Sequence, residues 1–150
     1  MAVFSAETRA VLQQAGWSEN RKVDTSEYEK CLKFEGYPVH AIVVDFLARF
    51  GGLQVIYPHA RVPQTTDEFC INPMVAAAHI YLEWVKEDYD ERLGAPLCVI
   101  GEAFDYHMTL MMDSNGKVYA GYDDILIHVG DSGIDAIEAL CSGRNIPEIP

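Results

Sequence analysis

Nothing in this sequence approaches the uninterrupted apolar run of roughly 20 residues that a membrane-spanning helix needs. The opening residues, MAVFSAETRAVL, place Glu7 and Arg9 where a secretory leader would carry its apolar core. No membrane association and no signal peptide are expected, and a cytoplasmic location follows. Phosphate-binding signatures are also missing: there is no GxGxxG and no GxxxxGK followed by Ser or Thr. The pair Gly51-Gly52 comes after a helical pattern, so no helix N-terminus would face a phosphate there. Cysteine is sparse. Cys31, Cys70, Cys98 and Cys141 are widely separated and form no CxxC, which suits small core hydrophobes in a reducing compartment better than metal ligands or a redox pair.

Basic side chains are few beside acidic ones, 11 Lys and Arg against 23 Asp and Glu, for a formal net charge of −12. The deficit is local. Residues 1–66 carry seven acidic and seven basic side chains, whereas residues 67–150 carry sixteen and four, so the second part holds the whole imbalance. Such a field repels nucleic acid and anionic membrane and draws in basic partners.

What is present suits a single domain over residues 1–150, a length that buries roughly 70% of the unfolded surface. The strongest local signal is the stretch 38–56. Val39, Ile42, Val43, Phe46, Leu47 and Phe50 repeat at helical spacing, Pro38 suits a first turn, and Gly51-Gly52 stops the helix. Leu53, Val55 and Ile56 then switch to a strand pattern. Before this helix, Ser5 is a natural cap for a first one ending at Gly16, with Trp17 folding back onto the core. Ser26 and Glu29 have capping-box spacing for a second, which Gly36 ends.

After it, residues 67–71 read as a strand and Asn72-Pro73 as a helix start. Residues 74–93 read as a helix with one break. Strands follow at 97–100, 107–112, 117–121 and 125–129, the middle pair joined by an Asn115-Gly116 hairpin in which both residues tolerate positive φ. A helix capped by Ser132 and ended by Gly143 closes the chain, with a frayed tail over residues 145–150. Segregated helices and strands predict an α+β fold, with a mostly antiparallel sheet of about five to six strands packed against helices.

The search for chemistry finds little. His79 and Glu83 stand at i, i+4 and would share a helical face, but no third ligand is near, so an ordinary surface pair outweighs a metal-dependent hydrolase. Residues 113–116 lack the closing glutamate of a calcium loop. No carboxylate spacing singles out an acid and a base. No enzyme activity, cofactor or metal is expected.

Taken together, Ala15-Gly16-Trp17 with Arg21, Gly36-Tyr37, Phe46-Leu47-Ala48-Arg49-Phe50-Gly51-Gly52-Leu53, the step from Phe69 to Pro73, Ile100-Gly101-Glu102 and Gly116-Lys117-Val118-Tyr119 resemble the SUKH superfamily. The likeness is greatest to its third immunity-protein subfamily and extends to Gly130 and the closing helix. Gly16, Trp17, Gly51, Gly52, Gly101 and Glu102 would be structural signature residues. Val99 departs from the pattern, which has proline there.

The resemblance implies a non-enzymatic immunity protein that binds and neutralises a cognate bacterial polymorphic toxin, such as a nuclease or deaminase, and the acidic second part of the chain suits a basic toxin domain. A regulatory or scaffold module of the same fold is the alternative. The densest acidic stretch, together with a second acidic turn, supplies the candidate contacts: Glu83, Trp84, Glu87, Asp88, Tyr89, Asp90, Glu91, Asp123 and Asp124.

Overall fold

A computed structural model describes residues 3–144 and 146–150. Three helices come first: α1 (Ala6–Gln14), α2 (Ser26–Glu35) and α3 (Ala41–Phe50). The hairpin β1 (Gln54–Pro58) and β2 (Thr66–Cys70) follows, then α4 (Pro73–His79). Next is a composite helical arm made of α5 (Leu82–Trp84), a π-helical segment (Val85–Asp90) and α6 (Glu91–Leu93). Strands β3 (Cys98–Ala103), β4 (Met108–Met112), β5 (Val118–Tyr122) and β6 (Ile125–Gly130) lead to α7 (Gly133–Ser142). The six strands pair in chain order, every neighbour antiparallel, so the sheet is a simple meander. The fold class is α+β, as the sequence predicts.

Both faces of the sheet are covered. Tyr57 and Ile127 line a hollow with Ala139 and Leu140, which places α7 over their face. Gly121 points the other way from Ile127, since its register partner is Leu126, and it meets the ring of Tyr89 from the arm. Strand β3 is buried along its entire length, as a central strand covered on both sides must be. Beside the sheet, Phe4, Trp17, Phe46 and Phe50 form an aromatic cluster in which Trp17 stacks on Phe50 at 5.9 Å and 7°. Trp17 therefore does fold back onto the core.

Several local expectations hold. The Ser5, Asn72 and Ser132 side chains accept from the backbone N–H groups of Thr8, Met74 and Asp135, each capping its helix. Others are corrected. Pro38 lies outside α3, whose N-cap is His40, and Ile42 is exposed on the helix instead of facing the core. Ser26 is the first residue of α2, not its cap: its N–H and hydroxyl both donate to Asp24. Gly51 has extended geometry, and it is Gly52, at φ 86°, that takes the left-handed turn. In the 113–116 turn only Gly116 has positive φ, because the Asp113 carboxylate accepts from the N–H groups of Asn115 and Lys117 and folds the loop from inside.

Beyond Asn145, which lies outside the described residues, the tail is not frayed. Ile127 bridges to Glu148, His128 N–H donates to Pro147 O, and Ile149 N–H donates to Leu126 O at 2.7 Å. The unpaired edge of β6 supplies the partners, which no local signal in the tail foretells.

Glu138 ties the two ends of the helical layer together. Its carboxylate accepts from Ser5 N–H at 2.7 Å and from the Thr8 hydroxyl at 2.7 Å. Partial burial pushes its pKa up, but the Ser5 and Thr8 hydrogen bonds outweigh that and leave it below the ordinary 4.5. The folded state thus holds the proton less tightly than the unfolded one. The stabilisation is present above pH 4.5 and is lost as pH falls through the lower folded-state value. Glu138→Gln is expected to cost about 1 kcal/mol near neutrality. In denaturant titrations the gap between wild type and variant should close below that range; a gap independent of pH would refute the ionic role.

Candidate functional site

On the arm side, a hollow of about 390 Å³ opens at one end of the sheet. Three parts of the chain build it. The link between α4 and α5 supplies His79, Ile80 and Tyr81, and α5 supplies Trp84. The turn from β3 to β4 adds Tyr106 and His107, and the end of β5 adds Tyr122 and Asp123. Glu102 and Thr109, register partners on adjacent strands, also line it.

Aromatic faces dominate the rim. Tyr81 is 82% exposed, Tyr122 54% and Trp84 43%. The β3–β4 turn holds Phe104, Asp105 and Tyr106 at φ 55°, 55° and 68°, and Asp123 sits at 49°. Each non-glycine residue in the left-handed region costs about 1 kcal/mol or more, so these turns are held by their surroundings. Tyr106 is fastened by a hydrogen bond to the Glu68 carboxylate and by the Gln54 amide donating to its hydroxyl at 3.2 Å. Burial, and then the bond to Glu68, push the Tyr106 phenol up to about 12, so it stays neutral and donating.

Behind the rim lies a buried acid. Glu102 is 2% exposed, and its Oε2 is 2.9 Å from His79 Nδ1. Its Oε1 is buried and has no hydrogen-bond partner among the described residues. Burying an unpaired carboxylate oxygen is costly in a structure held together by packing. No lysine or arginine lines the hollow.

The arm is docked by two donors converging on one acceptor. Trp84 Nε1 donates to Asp123 O at 3.0 Å and the Tyr89 hydroxyl donates to the same oxygen at 2.7 Å. The two rings meet edge to face at 6.4 Å. Tyr89 is fully buried, and a Cβ at Gly121 would lie 2.6 Å from its ring. Arg92 completes the attachment, donating to Asp124 O at 2.7 Å and Ile149 O at 2.6 Å.

The candidate contacts separate accordingly. Trp84 and Asp123 come together in the hollow, with Glu83 exposed beside it. Glu87, Glu91 and Asp124 are also exposed. Tyr89 is corrected: complete burial against Gly121 makes it a support of the arm and not a surface for a partner. Asp88 and Asp90 are partly buried and engaged internally. Asp88 pairs with Arg92 at 3.1 Å; Asp90 accepts from Leu97 N–H at 3.0 Å, and burial raises its pKa.

His79 and Glu83 do not share a helical face, because the chain leaves α4 at His79 and is extended at Ile80 before α5 begins. Among the described residues no group of three His, Cys, Asp or Glu is placed to hold a metal ion, and no helix is long and apolar enough to cross a membrane. Sequence reasoning took Glu102 as structural and passed over Tyr81, Tyr106 and Tyr122. The available signal was the position of two of these tyrosines at strand ends that a meander brings side by side.

Fold and site define an α+β domain with an open antiparallel sheet and a recessed, acidic, aromatic-walled hollow. The family model for the SUKH-3 immunity protein matches residues 4–143. The chain belongs to the SUKH-3 immunity protein family, as the motif set in its sequence indicates. No curated protein and no solved structure matches it.

Gly121 offers a check on the docking of the arm. A methyl group there must displace the Tyr89 ring, which Asp123 O holds in place. Gly121→Ala is expected to cost about 1–3 kcal/mol in chemical denaturation and to red-shift Trp84 emission as the arm loosens. An unshifted spectrum at unchanged stability would contradict this account.

Proposed function

We propose that this protein acts in the cytoplasm as the immunity partner of a bacterial polymorphic toxin, which it neutralises by binding, without chemistry of its own. The family match over residues 4–143 carries this reading. The charge distribution supports a basic toxin domain: the net −12 belongs to residues 67–150, and Glu83, Glu87, Glu91, Asp123 and Asp124 are exposed on and beside the arm. A toxin acting on nucleic acid, such as a nuclease or deaminase, needs a basic cleft, and an acidic surface can cover one. The same field works against direct binding of nucleic acid or anionic membrane by this chain.

Co-expression with the product of the adjacent gene tests the proposal. A stable complex and rescue of growth are expected; independent migration of the two proteins without rescue would refute it. Within such a complex, reversing Glu83, Glu87, Glu91, Asp123 and Asp124 to lysine should slow association about tenfold or more at low salt, with a smaller effect at high salt. Association that is unchanged at low salt would move the interface to another face.

A further inference from the structure

We infer that the hollow is the socket for an arginine side chain presented by the bound protein partner, so that Glu102 and the aromatic rim form the specific anchor of the complex. This rests on the immunity reading for the partner's existence, but the chemistry is argued from the socket itself.

A guanidinium requires a carboxylate acceptor and flat π faces, and it must meet no competing cation. All three conditions are met. Trp84, Tyr81 and Tyr122 expose aromatic surface around one opening, and no lysine or arginine lines it. Glu102 supplies a carboxylate that is 97% buried as a side chain and leaves Oε1 without a protein partner. His79 occupies the other oxygen, but its side chain is 60% exposed and is held in the hollow by this one contact to Nδ1. Swinging it outward would free Oε2 for an N–H donor of the guanidinium, and Oε1 has no protein partner to give up. Asp123, at the rim, adds negative charge.

An anionic occupant is disfavoured because Glu102 and Asp123 face the space, and a purely apolar one would leave the buried carboxylate unpaired. Lysine satisfies the charge, but it has no planar group to stack on the rings and cannot make a forked contact. The volume, about 390 Å³, is at the lower end of small-ligand sites and accommodates one long side chain with part of its neighbours.

Trp84 is a built-in reporter, because the other tryptophan, Trp17, is buried in the aromatic cluster. The full-length protein is titrated with N-acetyl-arginine N-methylamide and, in parallel, with the citrulline and lysine counterparts. Citrulline keeps the shape of arginine without its charge. Saturable quenching by arginine is expected, about tenfold weaker with lysine and weaker still with citrulline. Glu102→Gln should weaken the arginine response about tenfold. Tyr81→Ala, at a rim position too exposed to affect folding, should weaken it several-fold.

Equal responses to arginine and citrulline, equal responses to arginine and lysine, or an arginine response indifferent to both substitutions would overturn the assignment. The two proposals fail separately. A toxin complex whose affinity is untouched by Glu102→Gln and Tyr81→Ala, with no arginine response, sinks the socket and leaves the immunity role standing. Arginine binding in a protein that captures no toxin upholds the socket chemistry and sinks that role.

Discussion

The sheet is held together across a narrow seam. Hairpin β1–β2 and meander β3–β6 meet through a single register pair, Cys70 with Glu102. Their backbones come so close that a Cβ at Gly101 would lie 2.0 Å from Cys70 O, so the strand crossing requires glycine at this point. One ladder pair is a weak union, and the side structures compensate for it. Helix α4, the connection across the seam, packs on β3 and on α2. At the open end, Asp105 N–H donates to Glu68 O and Tyr106 bonds to the Glu68 carboxylate, so the β3–β4 turn fastens β2 from beyond the ladder. The left-handed run through Phe104, Asp105 and Tyr106 is the local cost of bringing those groups to Glu68. Glu102 stands at this seam, buried with one carboxylate oxygen unpaired among the described residues.

The arm then turns the seam into a recess. Side chains four residues apart share one face of a helix, as Val85 and Tyr89 do. Within the π-helical segment Val85–Asp90, Val85 and Tyr89 are both buried while Trp84, just before it, stays at the rim. Inserted π turns are common at functional sites. Because Trp84 and Tyr89 donate to the same Asp123 carbonyl, the arm and the β5–β6 turn are positioned as one unit. The hollow is the gap between that unit and the seam.

What could be read from the sequence was what is encoded locally. The caps Ser5, Asn72 and Ser132 act on backbone groups two or three residues away, and the antiparallel run β3 to β6 follows from short turns. What depends on distant partners was not visible. Pro38 looks like a first helical turn, yet α3 begins only at Ala41. The tail has no strand pattern, but the free edge of β6 and the carbonyl-seeking Arg92 hold it in place. Tyr89 sits in an acidic run and reads as surface until Gly121, thirty-two positions on, proves to be the flat place that receives it. The site divides the same way. Acidic character and Trp84 were legible from composition and position, whereas the buried Glu102 and the tyrosine rim exist only once the meander sets three turns side by side.

Charge of one sign and a shaped recess do different work in recognition. The surplus of carboxylates on residues 67–150 acts over roughly a Debye length, about 8 Å at physiological salt, and sets how fast a basic partner arrives. It does little to fix the register, since exposed ion pairs are each worth about 1 kcal/mol or less and their geometry is loose. Register needs a contact that is dry, directional and intolerant of substitution. Among the described residues, the acceptor that best meets this description on the arm side is Glu102, shielded by His79 and ringed by aromatic faces. A partner held only by the field would dissociate as salt is raised, whereas one whose cation reaches Glu102 would arrive more slowly in salt and, once seated, leave at nearly the same rate.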